Sequence, residues 1–152
     1  SMAAMERVHK TVERLESRIE ADPKDLVSID SLAQMFYIAG SYDKASEYLK
    51  MHLDVEPDNR DVKMFLATTY GTLNRTDEAI ALIKEILKEE PTYAFGLYNL
   101  GLIYAHQGNK DEALKNWKLL VQHYPGTDIA KSAQQQIHNL EHVDQPPQNQ
   151  DR

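Results

Sequence analysis

The chain contains no cysteine among its 152 residues. Disulfides and thiol chemistry are excluded, and the redox compartment stays open, because cytosol and periplasm both suit such a chain. It also lacks any stretch approaching the roughly 20 apolar residues of a membrane span, and its start has no apolar signal core. A soluble domain is expected, with no direct membrane insertion of this segment. Basic runs are missing as well: 17 Lys and Arg face 24 Asp and Glu, for a formal net charge of −7. Nucleic acid and anionic membrane are therefore not expected as partners. The six glycines are isolated, so no Gly-rich phosphate loop exists and no cofactor is expected. Ser1-Met2 reads as the remainder of a cleaved tag, which would make the chain an excised domain and leaves cytoplasm and periplasm equally open.

What is present is a period. Pro23, Pro57, Pro91 and Pro125 stand 34 residues apart, the spacing of a helical repeat array. Registering the chain on these prolines produces further columns: Ala45, Ala79, Ala113; Leu49, Ile83, Trp117; Leu32, Leu66, Leu100; and Phe36, Tyr70, Tyr104. Four coincident columns require a repeated structural unit.

The columns fit two antiparallel helices per repeat. Small Ala33, Ala67 and Gly101 allow the first helix to lie close to its partner, and Ala45, Ala79 and Ala113 do the same from the second. Gly40, Asn74 and Gly108 follow each first helix, where a left-handed residue ends it. Asp43, Asp77 and Asp111 suit the donors at the start of each second helix, and each proline closes it. Asn74-Arg75-Thr76 matches a glycosylation acceptor, but the helix-ending column explains Asn74.

In the third repeat, Leu97, Leu100-Gly101, Tyr104, Ala113, Trp117 and Pro125 resemble the tetratricopeptide repeat pattern, with Leu for its usual Trp and Trp for its usual Phe. The first repeat matches through Ile29, Leu32-Ala33, Phe36, Ala45, Leu49 and Pro57. The second matches through Leu66-Ala67, Tyr70, Ala79, Ile83 and Pro91, but has Lys63 where an apolar residue is expected, a departure that should weaken one packing contact. The resemblance implies an all-α fold, a right-handed superhelical solenoid of three repeats with N- and C-terminal flanking helices. The expected organisation is a flanking helix over 1–25, repeats over 26–59, 60–93 and 94–127, a capping helix over 128–143 and a disordered tail over 144–152. Val8, Val12, Leu15 and Ile19 form the apolar stripe of the first flanking helix. Thr127 or Asp128 caps the last, with Ala130, Ala133, Ile137 and Leu140 inward and Lys131, Gln134, Gln135 and Asn139 outward. The Gln-, Pro- and Asn-rich end cannot offset the entropy of ordering.

The resemblance places function on the inner face of the superhelix, lined mainly by the first helix of each repeat. Its residues are Val27, Asp30, Gln34 and Tyr37 in the first repeat, Asp61, Met64, Phe65 and Thr68 in the second, and Phe95, Tyr98, Asn99, Leu102 and His106 in the third. None is Lys or Arg. Members that clamp the acidic tails of heat-shock chaperones use Lys, Asn and Arg, whereas the matching positions here hold Asp30, Gln34, Phe65, Phe95 and Asn99. That clamp is absent. Met64, Phe65, Phe95, Tyr98 and Leu102 instead suggest an aromatic and thioether groove for the apolar face of a helix or an extended peptide, with Asp30 and Asp61 favouring a basic residue at its edge. The alternative is that some of these side chains pack between neighbouring repeats or against a terminal helix, Phe65 first among them.

A narrower resemblance is to periplasmic repeat domains of cytochrome c maturation. It rests on Leu15 to Pro23 leading into the array and Ala113 to Trp117 followed by a Pro-Gly break and a last helix. It implies recruitment of apocytochrome through a helical segment. The break Tyr124-Pro125-Gly126 is shared with outer-membrane assembly repeat proteins. His138-Asn139-Leu140-Glu141-His142 matches an inverted zinc-protease pattern, but few residues follow that could supply a third ligand. No catalytic or metal residue is assigned. His52, in a packing column between Ala45 and Pro57, is expected in the interior or at its edge, and His106 could tune binding with pH. Two functions follow: an adaptor binding a protein or peptide ligand with an apolar face, or a self-assembling scaffold forming a homo-oligomer through a neighbour's terminal helix.

Overall fold

Three corners with one hydrogen-bond pattern set the path of the chain. After α2 (Leu26–Ile38), α4 (Arg60–Thr72) and α6 (Ala94–His106), Gly40, Asn74 and Gly108 take φ of 76°, 57° and 77°. Asn74 is the one non-glycine with positive φ among the described residues. At each corner the next amide reaches back six residues' span to a helix carbonyl: Ser41 N–H to Phe36 O at 2.8 Å, Arg75 to Tyr70 at 2.9 Å, Asn109 to Tyr104 at 2.8 Å. These are Schellman motifs, which satisfy carbonyls a helix end would otherwise leave bare.

The structure is a computed structural model that describes residues 1–143; the tail expected to be disordered lies outside the described residues. All regular structure among those residues is α-helical: α1 (Met2–Ala21), α2, α3 (Tyr42–Val55), α4, α5 (Thr76–Glu89), α6, α7 (Lys110–His123) and α8 (Asp128–Glu141). The chain divides into two compact units, Ser1–Leu82 and Ile83–Arg152, with the division inside α5.

Helix starts follow the local chemistry. Asp25 caps α2 with Oδ1 accepting from Ser28 N–H at 3.1 Å and Oδ2 from Ser28 Oγ at 2.7 Å, while Arg18 Nε donates to Oδ2 at 3.0 Å. Asn59 caps α4, Asn109 caps α7 and Thr127 caps α8. Asp43, Asp77 and Asp111 lie in the first turns of α3, α5 and α7, where a carboxylate meets the positive end of the dipole.

In the first unit α1 packs on α2, α2 on α3 and α3 on α4. Its core joins Leu15 and Ile19 to Ile29 and Leu32, with Val12, Met35, Phe36, Tyr48 and Met51 against them. Phe36 and Tyr48 stack with centroids 5.7 Å apart. Burial, together with the Glu16 carboxylate that accepts from its hydroxyl at 3.1 Å, pushes the Tyr48 phenol up to about 12. The apolar stripe expected along α1 is used only in part: Leu15 and Ile19 are buried, whereas Val8 is 54% exposed and Met2 and Met5 more so. The start of α1 runs past the core. Lys63 is buried despite its charge, in the column where the other repeats bury Ile29 and Leu97.

In the second unit α6 packs on α7 and α8 on both. Trp117 is buried against Gly101, where an added Cβ would fall 2.6 Å from the indole Cδ1 and Cε2. The indole Nε1–H donates to Tyr98 O at 3.1 Å. Among the described residues, no buried side-chain nitrogen or oxygen lacks a hydrogen-bond partner.

Gly101→Ala should therefore lower stability by about 1–3 kcal/mol, read as a shifted urea midpoint with an altered Trp117 emission. A second prediction concerns acid. The Ser28 hydroxyl first, then its amide and Arg18, hold the Asp25 carboxyl below its usual value. A depressed carboxyl contributes stability that is present above the unfolded-state value and lost as pH falls through the folded one. Asp25→Ala should melt below wild type at neutral pH, Asp25→Asn less so, and the melting curves should converge in acid.

Candidate functional site

A cleft of about 450 Å³ opens in the first unit, lined by Val27, Asp30, Ser31, Ala33 and Gln34 of α2, Leu49 of α3, and Asp61, Val62 and Phe65 of α4. Helical periodicity explains the assembly. Val27, Asp30, Ser31 and Gln34 recur at three- and four-residue spacings on one side of α2, as do Asp61, Val62 and Phe65 on α4. Ala33 and Leu49, both buried, close the floor. Two aspartates are the charged residues of the lining.

Of the residues expected to contact a ligand, Asp30, Asp61 and Phe65 are brought together in this cleft, beside Val27 and Gln34. Val27 is 71% exposed at its mouth. Tyr37 does not line it; its ring meets Phe65 edge-on at 5.0 Å and Tyr42 at 5.1 Å, a chain of three rings that fixes Phe65. Phe65, the residue most open to a packing role, is half-buried: it lines the cleft and also packs against Tyr37. Met64 corrects an expectation. Only 8% exposed, it belongs to the core and does not offer its thioether to a ligand. Thr68 is exposed, its hydroxyl donating to Met64 O at 3.0 Å.

In the second unit Phe95, Tyr98, Asn99 and Leu102 share one side of α6. Phe95 is 57% exposed and the other three are half-buried. Asn99 Nδ2 donates to Phe95 O at 2.8 Å, so its amide is turned to the backbone. His106 is exposed at the end of α6.

The residue that sequence reasoning left as mere packing is His52. It is 4% exposed and lies behind Asp30, with Nδ1 2.6 Å from Asp30 Oδ1. Its Nε2 faces Glu56 Oε2 at 3.1 Å and Asn59 Nδ2 at 3.4 Å. The Asn59 amide first, then His52, hold the exposed Glu56 carboxyl below its usual value. A signal existed in the sequence: 34 and 68 residues on stand Ile86 and Leu120, both buried. An imidazole in an otherwise aliphatic core column needs polar partners, and these are they.

The histidine pair of the inverted zinc-protease pattern lies at the end of α8 and at its C-cap. His138 and His142 rings lie 4.3 Å apart, Glu141 is paired with Lys118 at 3.2 Å, and no group of three or more His, Cys, Asp or Glu among the described residues is placed to hold a metal. No helix among those residues is long and apolar enough to cross a membrane.

Comparison with known proteins gives one consistent family. A model described as tetratricopeptide repeat matches residues 36–94, and a second with the same description matches 94–127, together more than half of the chain. The chain is 25% identical over 128 residues to Protein O-mannosyl-transferase Tmtc3 of Drosophila melanogaster, a match covering 84% of this chain and 13% of that protein. It thus spans a small part of that relative's length. Among solved structures, a tetratricopeptide repeat protein from Parabacteroides merdae superposes with TM-score 0.76 at 16% identity, covering 94% of this chain and 62% of that one. The first repeat domain of Spaghetti (RPAP3), solved with the HSP90 peptide SRMEEVD bound, gives 0.68 at 16% identity, covering 80% and 94%.

Proposed function

This chain belongs to the tetratricopeptide repeat family, whose folds serve protein–protein interaction, and we propose that it is an adaptor whose α2–α4 cleft takes apolar side chains of a helical or extended peptide. The observation that carries this reading is the cleft itself: exposed Val27 with half-buried Val62 and Phe65 supplies apolar wall over a floor of buried Ala33 and Leu49. A concave, mostly apolar opening with a few polar groups at its edge is the usual form of a ligand site. The row Phe95, Tyr98 and Leu102 on α6 is a second surface of the same chemistry, with its most exposed aromatic at the helix start. An apocytochrome helix would be one ligand of this class, favoured only by the sequence likeness at Leu15 to Pro23 and Ala113 to Trp117.

The RPAP3 domain was solved with a peptide rich in acidic residues. Asp30 and Asp61 in the cleft here would repel such a ligand, so a different peptide class is expected. Val27→Ser and Phe95→Ala alter exposed side chains and should leave melting almost unchanged. Val27→Ser should weaken an amphipathic helical peptide selected on the α2–α4 cleft, and Phe95→Ala one selected on the α6 row, each by about tenfold, as read by fluorescence anisotropy. SRMEEVD should not compete. Unchanged affinity in both variants would remove these surfaces from recognition.

A second reading, self-association, is favoured by one feature. Met5, Val8 and Val12 of α1, with Phe36, border another opening of about 580 Å³, and Met2, Met5 and Val8 are exposed. If that face pairs with a second copy, sedimentation should show a concentration-dependent mass that Met5→Lys with Val8→Lys abolishes. A mass that stays monomeric at high concentration would eliminate it.

A further inference from the structure

The charge and the support of the cleft go together. Both ionisable residues lining it are aspartates, on different helices, while the rest of its lining is apolar or neutral. An acidic pair at the edge of an apolar opening complements a ligand that places a cation next to an apolar side chain. We infer that the cleft recognises a peptide segment in which a Lys or Arg adjoins an apolar residue, with Asp30 and Asp61 meeting the cation and buried His52 holding Asp30 in position. The inference rests on the proposed reading of this cleft as a peptide site and assigns its ligand class.

Asp30 differs from an ordinary surface carboxylate. An ionised carboxylate only accepts, so His52 Nδ1 at 2.6 Å from Oδ1 must carry the hydrogen and donate it. The opposite ring nitrogen is engaged whichever form the imidazole takes. Nε2 donates to Glu56 Oε2 at 3.1 Å when protonated, and faces the Asn59 amide donor at 3.4 Å when not. The ring is therefore anchored at both ends inside the core, and one oxygen of Asp30 is anchored to the ring. The Asp30 side chain nevertheless remains half exposed. Its orientation is set before a ligand arrives, which reduces the entropy lost when a cation is bound. Asp61 has a looser setting, with Oδ1 accepting from neighbouring Arg60 Nε at 3.2 Å and its side chain open to water. His52 acts through Asp30; it is a positioning residue.

The column containing His52 supplies the variant that separates position from stability. Ile86 and Leu120 occupy the same place in the later repeats and are buried, so His52→Leu should fold with an aliphatic side chain there yet lose the grip on Asp30. His52→Gln keeps a side-chain donor. The probes are three peptides, Ac-Ser-Gly-Leu-Xaa-Leu-Gly-Ser-amide, with Xaa as Lys, norleucine or Glu. They are titrated at low ionic strength into the isotope-labelled whole chain, and dissociation constants are read from the amide shifts of Asp30, Asp61 and Val62.

The Lys peptide should bind tightest and the Glu peptide weakest, with roughly fivefold between them, and the gap should narrow with added salt. Asp30→Asn with Asp61→Asn should bring the ratio to about one. His52→Leu should reduce the ratio, and His52→Gln should restore part of it; a merely structural role for His52 would leave the ratio untouched. Equal binding of all three peptides in the cleft would overturn the cation inference and leave the apolar reading standing. If none of them moves the cleft resonances at millimolar concentration, both fall. A ratio unaltered by His52→Leu would overturn the positioning role.

Discussion

The close approach of paired helices is the constraint on which the other features rest. At Gly101 not even a methyl group fits, because Trp117 fills the space and donates its indole N–H to the α6 backbone at Tyr98. That contact joins α6 to α7 by shape and by a hydrogen bond at once. Phe95, Tyr98 and Leu102 are carried by the helix it fixes. In the first unit the corresponding small residues, Ala33 and Ala45, are both buried, and Ala33 forms part of the cleft floor. A bulkier residue there would fill the cleft as well as separate the helices.

Much of this was legible because the fold is written three times. One alanine in a helix says little, but Ala45, Ala79 and Ala113 at equal spacing say that a neighbour comes close, and all three are buried. Asn74 could be read as a left-handed corner residue only because Gly40 and Gly108 share its column, and its φ of 57° agrees. Where no repeat stood alongside, the reading was weaker. The stripe of α1 has the right period along its whole length, yet periodicity records which side faces inward and not how far the core extends. Met64 was misread for a related reason: an apolar residue on the ligand side of a helix and one at the edge of the core have the same spacing.

The candidate site illustrates how a repeat array acquires specificity. Its scaffold lies in the columns that agree, and its chemistry in those that do not. Asp30 stands where later repeats have Met64 and Tyr98; Asp61 stands where Val27 and Phe95 occur; His52 stands where Ile86 and Leu120 occur. Individually each substitution reads as surface variation or as a tolerated exception. Together, two of them line one cleft and the third is bonded behind it. The partnership of His52 with Asp30 could not be read from spacing, since it joins α3 to α2 across 22 residues and depends on the direction of an imidazole in the core.

The three Schellman corners carry an evolutionary consequence. Each hands the chain from one helix to the next with the same backbone hydrogen bonds and a left-handed residue in the same place. Adding or deleting a single residue inside a helix would rotate the side chains beyond it in that helix by about 100° around the axis, exchanging core for surface. A whole period of 34 residues, by contrast, carries the helix pair, its corner and its small-residue columns together, so insertion or removal of one period keeps the register of the remaining helices.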